Sequence, residues 1–116
     1  MLIVFGIAGL ALGEQHLAGL VDIDLAVDLL HLISGFLLAW VGFGPVSALL
    51  RRRAVGGIGL VYLAVSALGF VNPTLLGLVP AGFTLLDNVV HLAVGAPGLA
   101  VLWLAARRLT ALAVGD

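Results

Sequence analysis

Four apolar stretches, cut apart by charges and prolines, decide what this 116-residue chain can become. The first runs from Met1 to Gly13 and ends at Glu14-Gln15-His16. The second runs from about Leu25 to Leu50 and ends at Arg51-Arg52-Arg53. The third runs from Ala54 to Val71, before Asn72-Pro73, and the fourth from about Leu85 to Ala106, ending at Arg107-Arg108. Apolar residues make up 63% of the chain and charged residues 9%, where a soluble domain carries about 25% charged. A small soluble domain buries only about two thirds of the surface its unfolded chain exposes. This much apolar surface therefore has no aqueous solution, and the aqueous-enzyme and disordered readings fall away. A nucleic-acid partner is excluded as well: the net charge is −1 and the five basic residues are all arginines in two short clusters, too few to track a phosphate backbone. Without cysteine there is no disulfide, thiolate nucleophile or cysteine-held metal centre.

A hydrocarbon core takes about 20 helical residues to cross, and spans two, three and four are near or above that length. No alternation of polar and apolar residues appears, so helices rather than strands are expected. All five arginines follow span two or span four, while segments 14–24 and 72–84 carry Glu14, Asp22 and Asp24 but no arginine. The positive-inside rule makes Arg51, Arg52, Arg53, Arg107 and Arg108 topology anchors, with both termini cytoplasmic and both longer loops outside. Trp103, four residues before Arg107, suits the cytoplasmic interfacial belt. A signal peptide is a poor reading of the N-terminus, because no basic region precedes Leu2 and a further span follows. The expectation is a multi-pass protein of the cell's inner (plasma) membrane.

Sliding the chain against itself by sixty residues gives a gapless match. Gly9 falls on Gly69, Leu25 on Leu85, His31 on His91, Gly35 on Gly95 and Val41 on Val101, with Asp28 on Asn88. Each half holds two spans, so the copies enter the membrane the same way round, as a parallel repeat. The predicted fold is all-α: one integral membrane domain over 1–116, a four-helix transmembrane bundle of two tandem helix hairpins, repeat one about 1–53 and repeat two about 54–116. Met1 aligns with Val61, which leaves span one short; thirteen helical residues cover only about 20 Å. The offset favours a start upstream of Met1 over a shortened first helix.

The doubled pattern of Asp28, His31 and Gly35 with Asn88, His91 and Gly95 resembles the small four-helix bacterial membrane proteins catalogued only as a domain of unknown function (number four-three-eight-three). The likeness covers nearly the whole chain and depends on that pattern and its spacing. It departs in the short first span and in Asp28, where Asn is more usual. The resemblance implies a fold and a membrane location, and no activity.

At 100° per residue, with Asp24 as zero, Asp28 lies at about 40°, His31 at about −20° and Gly35 at about 20°. On span four Thr84, Asp87, His91, Gly95 and Gly98 fall within about 80°, with Asn88 at the margin. Each histidine then sits about 10 Å below the outer helix end. An ionisable group facing lipid there costs on the order of 2–3 kcal/mol, so both faces turn inward and the two imidazoles meet at equal depth.

Three functions are open to such a stripe. The first is structural: His, Asn and Asp bridge helices by hydrogen bonds worth about 0.6 kcal/mol each, and Gly35 and Gly95 let backbones close up. Asp28 or Asn88 would cap free N–H groups. The protein is then a non-enzymatic structural or accessory component, alone, as a homo-oligomer or in a larger membrane complex. The second is a ligand site, with His31 and His91 holding a tetrapyrrole, or a divalent metal together with Asp28 or Asp87. No basic residue lies on the outer side to meet propionates. The third is a proton or small-solute pathway, although residues 36–50 offer only Ser47 below the stripe and 96–106 offer no charged or hydroxyl group.

His16 reads as a solvated loop residue. Pro97 is expected to kink span four, and Pro45 to break span two, leaving Val46–Arg53 as a short turn at the surface. Gly9 with Gly13, and Gly56, Gly57 and Gly59, have the spacing of close helix contacts. Arg51–Arg53 can also meet anionic headgroups.

Overall fold

The computed structural model describes the backbone over residues 1–13, 15–17 and 21–114 and the side chains over 1–13 and 23–107. Glu14 and the side chains of His16, Asp22 and Arg108 lie outside the described residues. Four helices carry the fold: α1 (Leu2–Leu12), α2 (Leu25–Phe43), α3 (Ala48–Val71) and α4 (Leu85–Val114). Three of them are long and apolar enough to cross a membrane, over Leu25–Phe43, Ala48–Val71 and Leu85–Arg107. α1, with 11 residues, covers about 16 Å.

Each boundary has a local cause. Asp24 stands in extended conformation before α2, and its carboxylate accepts from Ala26 N at 2.9 Å, filling one of the free donors of the first turn. α2 stops at Gly44, and Pro45 cannot continue the ladder. Ser47 then opens α3, its hydroxyl accepting from Leu50 N at 3.1 Å. This corrects the expected limits of spans two and three. The arginines do not end span two, and residues 46–53 are not a separate turn; Arg51, Arg52 and Arg53 lie inside the first two turns of α3. Arginine is a good helix former, and the Gly-Pro-Val-Ser segment, not the charge, breaks the chain. Arg51 uses the position: its Nε donates to Val41 O at 2.7 Å, in the last turn of α2.

At the start of α4, Thr84 N donates to Asp87 Oδ2 at 2.9 Å while Asp87 N donates to Thr84 Oγ1 at 3.2 Å. This reciprocal pair is a capping box with Asp in place of Glu. Capping therefore falls to Asp24, Thr84 and Asp87. The expectation for Asp28 and Asn88 is corrected, since both lie a turn further into their helices. α4 runs on through Pro97 and past the expected end at Ala106 to Val114, because Arg107-Arg108 and the Leu-Ala tail are good helix formers.

The connection before α2, expected as loop alone, holds two short antiparallel strands, β1 (Gln15–Leu17) and β2 (Val21–Ile23), with Gln15 opposite Ile23. A 3₁₀ turn, Leu75–Gly77, lies between α3 and α4. Val79 and Phe83 of that connection fold back onto Val27 of α2, with Val65 and Leu75 beside them.

α1 packs on α2 and α3 on α4, and α2 meets α3 between the hairpins. Polarity is inverted relative to a soluble domain. Ile33, Phe43, Phe70 and Trp103 are exposed on the outside, whereas Asp28, Ser34, Ser66, Asn88 and His91 are buried. Glycine makes the α3–α4 approach possible: a Cβ at Gly59 would lie 2.6 Å from Gly98 Cα, and one at Gly95 2.8 Å from Leu63 N. In the other hairpin a Cβ at Gly35 would lie 2.9 Å from Ile3 N. A Cβ at Gly13, by contrast, would meet no atom of the described residues within 4 Å; Gly13 ends α1 at φ 79°, a conformation that glycine adopts freely.

Candidate functional site

The polar faces of α2 and α4 both turn inward. Asp28, Gly35, Asp87, Asn88, His91 and Gly95 are buried and His31 is half-buried. The imidazoles of His31 and His91 meet, with ring centroids 5.7 Å apart. Three further rings close around them. Tyr62 of α3 lies 6.1 Å from His31 and 5.5 Å from His91, Phe83 lies 5.0 Å from His91, and Phe5 of α1 lies 6.1 Å from His31. Every helix, together with the α3–α4 connection, thus contributes to one aromatic cluster.

Reading the sequence missed Tyr62, Ser34, Ser66, Phe5 and Phe83. A signal for α3 was present: Gly59, Tyr62, Ser66 and Gly69 recur at spacings of three and four, and all four are buried. Ser34 Oγ donates to Leu30 O at 2.6 Å and lies 2.8 Å from Tyr62 Oη. A hydroxyl has one proton, so Tyr62 donates and Ser34 accepts. Ser66 Oγ donates to Asn88 O at 2.8 Å.

Asp28 and Asn88 occupy matching notches. A Cβ at Gly9 would collide with the Asp28 carboxylate, and one at Gly69 with Asn88 Oδ1. Ser66 meets the Asn88 carbonyl, and sixty residues earlier Gly6 lies against the Asp28 carbonyl. The histidines depart from the expected hydrogen-bonded bridge. They meet through their rings, and among the described residues neither nitrogen of His91 nor Nε2 of His31 has a hydrogen-bond partner. Asn88 Oδ1 and Asp24 Oδ2 share that condition. Such groups call for an explanation, since buried polar atoms are normally paired.

Beside the histidines is a cavity of about 180 Å³, lined by Phe5, Val27, His31, Leu86, Asp87 and His91 among others. A water occupies about 30 Å³ in the liquid, so the space has room for only a few small molecules, and its lining is mostly apolar with His31, Asp87 and His91 at its edge. It does not suit a tetrapyrrole. Drug-sized ligands already take about 300 Å³ or more, and Phe5, Tyr62 and Phe83 fill the space around the two imidazoles. Against the divalent-metal expectation, no three His, Cys, Asp or Glu side chains converge as ligands among the described residues. Asp87 is engaged in the cap of α4 and Asp28 is wedged at Gly9.

The arginines divide. Arg51 braces the end of α2. Arg52 lies beside Val101, Leu104 and Ala105 of α4. Arg53 faces a groove between α2 and α3. Arg107 lies 4.0 Å above the Trp103 ring, a cation–π contact one helical turn apart.

The fold and its interior thus define a helical bundle of membrane-spanning character. Compared with protein-family models, curated proteins and solved structures, the chain matches none.

Proposed function

We propose that this protein is a non-enzymatic, multi-pass component of the cell's inner (plasma) membrane. It acts as a structural or accessory bundle built from two tandem hairpins, with both termini and the arginines cytoplasmic. Its partners are the bilayer and either further copies of itself or a larger membrane complex. The observation that carries this reading is the joint between the hairpins: His31 and His91 meet at 5.7 Å with Tyr62 against both. The doubled architecture is supported by contacts that recur sixty residues on, Gly9 with Asp28 and Gly69 with Asn88, Ile3 with Gly35 and Leu63 with Gly95.

The test is the double variant His31→Leu, His91→Leu. A branched leucine cannot reproduce flat ring contacts, each worth about 0.5–1.5 kcal/mol beyond burial. Five such contacts go, but the three unpaired nitrogens go with them, so the midpoint of denaturant unfolding in detergent should fall by the equivalent of only about 1–2 kcal/mol. A second reading, a small-solute or proton site, is favoured by the unpaired His91 nitrogens beside the 180 Å³ cavity. On that reading the polar groups cost stability, and the leucine variant unfolds at the same midpoint or later.

Orientation has its own measurement. The chain has no cysteine, so single cysteines can be placed at Arg52 and at exposed Leu78. On intact cells a membrane-impermeant maleimide should label the Leu78→Cys protein. The Arg52→Cys protein should react only after permeabilisation; the reverse pattern would invert the topology.

A further inference from the structure

A groove of about 400 Å³ runs between α2 and α3 on the outside of the bundle. Leu30, Ile33 and Leu37 form one wall, Ile58 and Val61 the other, and Arg53 stands at one end. Gly57 keeps it open, because a Cβ there would meet no atom within 4 Å. Unlike that of Arg51, the side chain of Arg53 makes no hydrogen bond or ion pair with any described residue. We infer that this groove is a binding site for an anionic phospholipid, one acyl chain lying along α2 and α3 and the headgroup phosphate meeting Arg53. The inference rests on the membrane reading above.

Three observations select this occupant. From Arg53 to Val61 the groove rises about 12 Å, close to one leaflet's share, about 15 Å, of the hydrocarbon core. Its walls are apolar along that length while the charge is confined to one end, the polarity profile of a lipid rather than of a compact solute. A second copy of the chain is a poorer fit. The acidic side chains of its helices, Asp24, Asp28 and Asp87, lie at the opposite end, so a facing copy sets arginine against arginine. Basic pockets between helices on the cytoplasmic side are where anionic headgroups bind.

The experiment is native mass spectrometry of the detergent-purified protein, offered phosphatidylglycerol and phosphatidylcholine with identical chains in equal amounts. One phosphatidylglycerol should be retained, in preference to phosphatidylcholine by about fivefold, the contribution of one arginine near an anionic surface. Arg53→Gln should erase that preference. Gly57→Leu fills the groove without touching the bundle's interior and should reduce retention of both lipids. Arg52→Gln removes the same charge on the α4 side of the helix and should leave binding unchanged. Equal retention of the two lipids by the unmodified protein overturns the inference, as does equal loss from Arg52→Gln and Arg53→Gln, or full retention by Gly57→Leu. A protein that stays in solution without detergent would instead sink the membrane reading itself.

Discussion

Gly59→Leu should be among the most damaging single substitutions in the α3–α4 hairpin. The first carbon added at position 59 would lie 2.6 Å from Gly98 Cα, 2.8 Å from Gly98 C and 2.9 Å from Gly95 O. Carbon atoms rest at about 3.5–4.0 Å. All three neighbours are backbone, so no rotamer change relieves the collision and the helices must part by about 1 Å. That movement also loosens Gly95 against Leu63 N and Gly98 against Val55 O, both now at 2.8 Å from where a Cβ would stand. Overpacking costs typically about 1–3 kcal/mol, and a fixed backbone puts this site at the upper end. Denaturant unfolding in detergent, followed by far-UV circular dichroism, should show the midpoint fall by the equivalent of about 3 kcal/mol. Gly57→Leu, two residues earlier and facing open space, is the matched control and should unfold with the unmodified protein. Equal midpoints for the two variants would mean that α3 and α4 do not close at Gly59.

Why that approach was only weakly legible is instructive. A chain with sixteen glycines offers small-residue spacings by chance, and nothing local separates Gly59, pressed on a backbone, from Gly57, facing open space. The helices themselves are readable from run length, and the inward faces of α2 and α4 from the 100° advance, because turning an ionisable group toward lipid is costly enough to dominate orientation. The meeting of His31 with His91 followed from their equal depth. Arg51, Arg52 and Arg53 misled for a physical reason: a charge ends an apolar run without ending a helix, and the break belonged to Gly44, Pro45 and Ser47. Asp87 belongs to the inward stripe and also caps α4, a second role that the spacing of Thr84 and Asp87 already signals. The strands at 15–17 and 21–23 are too short for period-two alternation to register. Ring contact in place of hydrogen bonding at the histidines depends on where Tyr62 and Phe83 arrive, which no local pattern encodes.

Tyr62→Ala should match or exceed Gly59→Leu in effect by the opposite route, leaving space instead of removing it. Tyr62 is 0% exposed and joins the two hairpins: it belongs to α3, contacts His91 of α4 within its own hairpin, and reaches His31 and Ser34 of α2. Truncating a buried aromatic side chain to alanine costs about 3–5 kcal/mol, because the surroundings relax only partly into the cavity. Tyr62→Phe separates the ring from its hydroxyl. Ser34 keeps its bond to Leu30 O, so the loss of Tyr62 Oη leaves no stranded donor and should cost only about 0.6 kcal/mol, the average for a hydrogen bond between membrane helices. Ser34→Ala should cost more than Tyr62→Phe, since it strands the tyrosine O–H in a buried site at about 1–3 kcal/mol. Unfolding midpoints of the three variants should therefore fall in the order Tyr62→Ala furthest, then Ser34→Ala, then Tyr62→Phe. If alanine and phenylalanine at position 62 cost the same, ring packing does not join the hairpins. If Ser34→Ala is the mildest of the three, Ser34 is not the acceptor for Tyr62.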